Sequence, residues 1–504
     1  MDIFQNLLMG FQVALSPQNL FFCFVGVTFG TLIGVLPGIG PVTGVAILIP
    51  ITYGLSATTA IITMAGVYYG AMYGGSTTSI LINVPGESSS VMTCLDGYQM
   101  ARKGRAGPAL GMAAMASFIA GTFATLMLNL IAPPLANVAL SFGPPEYFAL
   151  TFMGLTLVTS LSGESMTKGI MSGVFGVILA CVGIDAVSGE ERFTFGNIFL
   201  LDGLGFIGVA VGLFAVAEVL INLEDPMEQV FLKAELKLRT LFPNLQDWKV
   251  SLGPISRSSV IGFIIGVLPG AGATIASFAT YAAEKKLSKH PERFGTGIIQ
   301  GVAAPEAANN AAAGGAMVPL LTLGIPGSGT TAVLLGALLI HGLRPGPLLF
   351  KSNPEFVWGV IASMYIGNVM LLILNLPLVG MWASLLRVPY RILMPLIVTI
   401  SAVGVFATDN NVFDMWVMFA FGIIGYLMRK LDFPAAPAVL GLVLGPLVER
   451  SLRQSLTISH GDLSIFFTRP ISGALTICAL LSLFAPLFRA IWQSTRKARV
   501  EVKP

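Results

Sequence analysis

The sequence predicts an all-α polytopic membrane protein, with two inverted-topology repeats that each carry paired re-entrant or broken helical hairpins. Three observations lead there: too little charge for a soluble surface, a duplicated Pro-Gly-x-Gly motif, and a reversal of basic loops between the two copies. Of the 504 residues, 55% are hydrophobic and only 11% are charged, and the mean hydropathy is +0.82. Soluble domains carry about 25% charged residues. Stretches such as "FALTFMGLTLVTSL" and "ISGALTICALLSLFAPLF" are continuously apolar. A transmembrane strand would alternate, so these runs read as helices. Roughly 20 apolar residues make one pass, and the length accommodates about 11 to 12 spans.

The net charge of +3 gives no reason to expect a nucleic-acid partner. Cys23, Cys94, Cys181 and Cys478 lie scattered in apolar contexts without a CxxC pair and read as buried thiols. The start, "MDIFQNLLMGFQ", lacks a basic region before its apolar residues, so membrane sequence is expected there instead of a cleaved signal.

The duplication is ordered. "GTLIGVLPGIGP" at 30–41 and "GFIIGVLPGAGA" at 262–273 share eight of twelve residues. Further on, "YGGSTTSILINVPGESSS" matches "AGGAMVPLLTLGIPGSGTT", pairing Gly74-Gly75 with Gly314-Gly315 and Pro85-Gly86 with Pro326-Gly327. "GRAGPAL" then answers "GLRPGPLL".

Lys and Arg collect on the cytoplasmic side. After the first landmark, copy one has the uncharged "YGLSATTA" where copy two has "EKKLSKHPERF"; after the second landmark the bias reverses, with "QMARKGRAG" against a nearly uncharged stretch. Equivalent loops of opposite bias imply opposite orientation. The expected organisation is a first membrane repeat with its N-terminal segment at 1–222, a basic cytoplasmic linker at 223–257, and a second repeat at 258–450. Residues 451–504 then supply a final span and a cytoplasmic tail.

Irregular backbone at membrane depth is tolerated only where protein or a wet cavity satisfies it. Pro removes a donor and Gly admits positive φ, so each motif forces a break. Broken helices in inverted-repeat transporters offer N-termini to anions and carbonyls to cations. The alternative is close packing, since Gly30-x₃-Gly34 and Gly262-x₃-Gly266 are also small-x₃-small motifs. The candidate substrate and ion residues in the first copy are Gly38, Gly40, Ser76, Thr77, Thr78, Asn83, Pro85, Gly86, Ser88 and Ser89. Those in the second are Gly270, Gly272, Glu306, Asn309, Asn310, Pro326, Gly327, Ser328, Thr330 and Thr331. Hydroxyls and amides donate to carboxylates or ligate Na⁺ without placing a fixed charge in lipid. Any one of these hydroxyls can instead bond its own helix backbone. Glu306, Asn309 and Asn310 fall near one face of a helix by their spacing, and an ionisable residue at membrane depth is a functional candidate.

Two decoys fall away. "GIPGSGTT" has Thr330 where a phosphate-binding loop needs Lys. "GESSS" has no evident base, because His290, His341 and His460 read as loop or span-end positions. No enzyme activity, cofactor or resident metal is expected, beyond a transported Na⁺.

Together "GVLPGIGP", "YGGSTTSILINVPGE", "DGYQMARKGRAGPALG", "GVLPGAGA", "APEAANNAAAGG" and "PLLTLGIPGSGTTA" resemble the large membrane subunit of the tripartite tricarboxylate transporters, the TctA family, over about residues 20 to 450. The resemblance implies a small membrane subunit, a periplasmic solute-binding protein and uptake of a carboxylate driven by a Na⁺ or H⁺ gradient across the bacterial inner membrane. It assigns no role to individual side chains. A self-sufficient cation/carboxylate symporter and a passive anion channel are the alternatives.

Overall fold

The computed structural model describes residues 3–36, 39–161, 165–185, 188–224, 238–270, 272–385 and 390–484. The chain is an all-α membrane protein: seven helices are long and apolar enough to cross a bilayer, and six further apolar helices are shorter, among the described residues. The chain forms two compact units, residues 1–140 with 205–427, and residues 141–204 with 428–504.

In the first unit, α1 (Ile3–Ala14) and α2 (Pro17–Val35) precede a break and α3 (Pro41–Thr52). Helix α4 (Ala57–Ile82) leads through a second break and one 3₁₀ turn (Ser88–Ser90) into α5 (Val91–Arg102) and the long α6 (Ala106–Ala139). Helices α7 (Pro144–Leu161) and α8 (Met166–Ala180) belong to the second unit. The chain returns to the first unit in α9 (Phe206–Glu224), which contains a π turn at Gly212–Val216. The second copy of the motif follows in α10 (Leu245–Val267), a break, α11 (Gly272–Leu287), then α12 (Gln300–Leu323), a break, and α13 (Gly329–Ile340). Helices α14 (Pro354–Asn375), α15 (Tyr390–Asp409) and α16 (Val412–Lys430) complete this part. Helices α17 (Ala435–Ile458) and α18 (Pro470–Phe484) lie in the second unit.

Lipid tails are as apolar as leucine, so helices in a bilayer associate by close packing over small residues. Gly26, Gly30 and Gly34 of α2 lie directly on the backbone of Thr63, Val67 and Ala71 of α4, where a Cβ would clash. The register rises together in both helices, so α2 and α4 run parallel. Gly262 and Gly266 of α10 lie in the same way on Ala308 and Ala312 of α12. The small-x₃-small motifs therefore do pack helices, in both copies.

Parallel neighbours require the chain between them to turn back. Gly44 of α3 faces Ile33 of α2, and Glu284 of α11 pairs with Arg257 of α10 at 2.7 Å, so α2–α3 and α10–α11 are antiparallel hairpins. The second breaks behave differently. Gly86 folds back onto Gly75 and Thr78, after which Ser90 and Gly97 pass Ser79 and Ile80. Gly327 returns onto Ala316 in the same way. These breaks are overlaps inside one pass, not the hairpin tips that Pro-Gly suggests. A left-handed residue produces the retreat in each copy: Asn83 at φ 58° and Gly324 at φ 71°.

The second unit has its own packing. Gly176 of α8 meets Ala438 of α17, and Gly441 meets Gly173. A two-stranded antiparallel ribbon, β1 (Gly183–Ile184) and β2 (Glu191–Arg192), follows α8. Asp185 and Arg453 pair at 2.8 Å, and Arg192 and Glu449 at 2.8 Å, fixing the ribbon to α17.

Candidate functional site

At the first break of copy one, the Leu36 N–H turns back to the carbonyls of Leu32 and Ile33, and Gly40 caps α3 with Pro41 at its first position. Pro37 and Gly38 lie outside the described residues. In copy two, Gly270 and Gly272 take φ values of 82° and 59°, which L side chains rarely adopt. The Gly270 N–H donates to the Gly327 carbonyl at 3.1 Å, tying the two breaks of that copy together.

The second breaks end in matching caps made of different chemistry. Glu87 caps the 3₁₀ turn: its Oε2 accepts from the Ser89 amide at 2.7 Å and its Oε1 from the Ser89 hydroxyl at 2.5 Å. In copy two, Ser328 caps α13, accepting from the Thr331 amide at 3.3 Å while its own amide donates to Thr331 Oγ1 at 2.8 Å. Both are capping boxes.

Contacts link the breaks in series. A Cβ at Gly40 would sit 3.9 Å from Glu87, and one at Gly272 would sit 3.7 Å from Ser328. Ser88 and Thr274 share a hydrogen bond of 2.7 Å across the copies, and Tyr68 Oη and Ser328 Oγ another of 3.2 Å. The fold thereby gathers the N-termini of α3, the Ser88–Ser90 turn, α11 and α13 in one place. Pro85 is half-buried, Gly86, Pro326 and Gly327 are buried, and Asn83 and Ser88 are exposed. Thr330 and Thr331 are buried in the first turn of α13.

The other candidate residues form a second cluster. Glu306 is fully buried in α12. Its Oε1 accepts from Thr93 Oγ1 of α5 at 2.5 Å, and its Oε2 from Ser76 Oγ of α4 at 2.6 Å and Ser117 Oγ of α6 at 3.4 Å. Asn310 donates to the Glu306 carbonyl at 3.2 Å and also bonds Asn309 Oδ1. Asn309 Nδ2 is buried with no acceptor. Thr77 lines a cavity of about 10 Å³ beside Ser76, whereas Thr78 bonds its own helix at Gly75. Four helices hold this carboxylate, and Ser76 connects it to the helix that leads into the first overlap.

Sequence reasoning passes over Glu87, Thr93, Ser117, Tyr68 and Thr274. Glu87 carries a readable signal, an ionisable residue inside an apolar run. Ser117 carries none, since its contact depends on how α6 crosses α12. Asp96 is buried but structural: it accepts from Tyr281 at 2.8 Å and from the amides of Gly295, Gly297 and Ile298, which locks α5 to the loop before α12.

The model of the tripartite tricarboxylate transporter TctA family matches residues 20–440. This chain belongs to the TctA family. Membership makes it a component of a tricarboxylate transporter. A similar protein of Agrobacterium vitis, described as an uncharacterized 52.8 kDa protein in the TAR-I ttuC' 3'region, is 50% identical over 99% of both chains. A second from the same organism, described as an uncharacterized protein in the TAR-II ttuC' 3'region, is 48% identical over 226 residues, 44% of this chain and 93% of its own. No solved structure matches this TctA chain.

Proposed function

We propose that this TctA chain is the large permease subunit of a binding-protein-dependent importer that takes up a di- or tricarboxylate across the bacterial inner membrane, driven by a Na⁺ or H⁺ gradient. One observation carries the reading: helix N-termini from two oppositely oriented copies meet at the breaks. Each such terminus favours a nearby anion by about 0.3–1 kcal/mol, rising to about 2 when partly buried. Several together hold a carboxylate without a fixed positive side chain.

The two caps divide the work. Glu87 already supplies a negative charge at the first-copy overlap, so a second anion there is repelled. Ser328 is neutral, leaving the termini of α11 and α13 for substrate carboxylate oxygens, with Thr330 and Thr331 as hydroxyl donors. Substrate reaches the permease from a periplasmic solute-binding protein, with a small membrane subunit alongside. The C-terminal tail, expected in the cytoplasm from its basic residues, falls outside the described residues.

The test is uptake in proteoliposomes, with and without the cognate binding protein, using the carboxylate that a ligand screen on that receptor identifies. Accumulation against a gradient only with the receptor is expected. Equal accumulation without it means a self-sufficient symporter, and equilibration without accumulation means a channel.

A further inference from the structure

Glu306 raises a question the substrate reading leaves open: what compensates a carboxylate sealed inside four helices? An isolated ionised carboxylate in an apolar interior is very costly. The titratable groups facing it are Tyr73 of α4, Glu87 of the 3₁₀ turn and Cys94 of α5, none of them cationic. Three hydroxyls donate to it, from Ser76, Thr93 and Ser117, and the Asn309 amide lies against it without a well-formed bond. On α10, Arg257 is committed to Glu284 at 2.7 Å, and Lys285 and Lys286 at the end of α11 are exposed.

Hydroxyls have a property that amides and ammonium groups lack: each turns to donate or to accept. Ser76 Oγ has a second acceptor, the Met72 carbonyl at 3.4 Å, and Ser117 Oγ has the Glu306 carbonyl at 3.5 Å. Ser76 and Ser117 therefore keep an acceptor whether Glu306 is a carboxylate or a carboxylic acid, by rotating hydrogens alone. A metal cation fits poorly. The hydroxyls contact the carboxylate at hydrogen-bond distance, 2.5 and 2.6 Å, leaving no place for an ion that needs several oxygens around it at 2.3–2.6 Å, the spacing known for Ca²⁺. Glu87 contrasts with this, because it takes a backbone amide and sits at a helix start that accommodates a negative charge.

A second feature lies beside the same shell. Ser76, Thr77, Ser117, Tyr73 and Asn375 line a cavity of about 10 Å³, near the minimum for one water. Asn375 Oδ1 is buried there with no donor. The cavity is just large enough for one water beside the Ser76 and Ser117 hydroxyls that contact Glu306.

We propose that the coupling ion of this permease is a proton, and that it is carried on the side chain of Glu306. On loading, H⁺ bonds to Oε2, the new O–H donates to Ser76 Oγ, and the Ser76 hydrogen turns to the Met72 carbonyl. Release reverses each step. The role in coupling rests on the carboxylate-uptake reading, whereas the protonation itself does not.

The first test needs no substrate. Infrared spectra of the purified full-length protein, recorded as pH is lowered, are expected to show a buried carboxylic acid C=O band that is lost in Glu306→Gln. Persistence of that band in the variant overturns the proposal. If Glu306→Gln fails to fold, Ser76→Ala decides the matter. Loss of one hydrogen bond to the acid shifts the band, and an unmoved band overturns the proposal. The second test uses citrate as the probe in proteoliposomes that contain the complete transporter. A pH gradient should drive accumulation, falling roughly tenfold or more in Glu306→Gln while citrate exchange continues. Undiminished accumulation in the variant, or accumulation driven by a Na⁺ gradient at equal pH, overturns the proton assignment.

Discussion

The two overlapping breaks of this TctA protein share one backbone and differ at one cap. In both, a left-handed residue turns the chain back, Asn83 in one copy and Gly324 in the other, and a glycine then settles eleven residues behind itself, Gly86 on Gly75 and Gly327 on Ala316. The cap that follows is a carboxylate in the first copy and a hydroxyl in the second. Duplication preserved the geometry that creates helix N-termini. Chemistry at a single position decides what each terminus receives.

The largest effect should come from making the caps alike. Ser328→Glu places a second carboxylate where substrate is proposed to bind, and uptake of the receptor-identified carboxylate is expected to fall by roughly 100-fold or more through loss of anion affinity. A KM changed by less than about threefold would separate that cap from the substrate. The reverse change, Glu87→Ser, is expected to leave substrate affinity within about tenfold, because the substrate is proposed to bind at the second-copy cap. An affinity loss as large as that of Ser328→Glu would dissolve the distinction between the copies.

Next come the glycines behind the caps. A Cβ at Gly86 would strike the Gly34 carbonyl and the Gly75 backbone, whereas one at Gly327 meets the Gly266 carbonyl at 2.7 Å and the Ala316 side chain at 2.9 Å. Gly86→Ala is therefore expected to cost about 2–4 kcal/mol and to reduce folded protein, with Gly327→Ala costing less. Thermal unfolding in detergent ranks them, and the opposite order would show that the first overlap has more slack than its contacts indicate.

The smallest effect belongs to Asn83. It is exposed and left-handed, so Asn83→Gly should change stability by less than about 0.5 kcal/mol, and Asn83→Val should cost about 1–2. A large uptake loss in Asn83→Gly, with stability unchanged, would give the amide a functional role beyond its backbone conformation.

Much of this arrangement is legible in the residues. Pro-Gly written twice in the same order marks the breaks, and the reversed basic loops mark the opposite orientation of the copies. What the motifs do not reveal is the kind of break. Pro85-Gly86 reads as a hairpin tip because Pro and Gly end helices. Whether the chain then returns or resumes depends on Asn83, two residues earlier, and on whether Gly75 has room for the returning strand. The candidate residues also divide in a way that spacing cannot show. Ser328 and Thr331 join the breaks, whereas Ser76, Glu306, Asn309 and Asn310 gather around a buried carboxylate. Thr93 and Ser117 come to that carboxylate from helices whose crossing is set by packing over small side chains. Glu87 was readable in principle, but its role as a cap emerges only once the backbone places the Ser89 amide beside it.

The opposite orientation of the two copies is what brings helix starts toward one place from both faces of the membrane. Gly54 and Lys289 are exposed and follow the hairpins α2–α3 and α10–α11. With the four native cysteines replaced, single cysteines at these two positions should be tested in intact cells with a membrane-impermeant thiol reagent. Labelling at 54 from the periplasm, and at 289 only after the cytoplasmic face is opened, is the expected result. Labelling of both positions from the same face would contradict it.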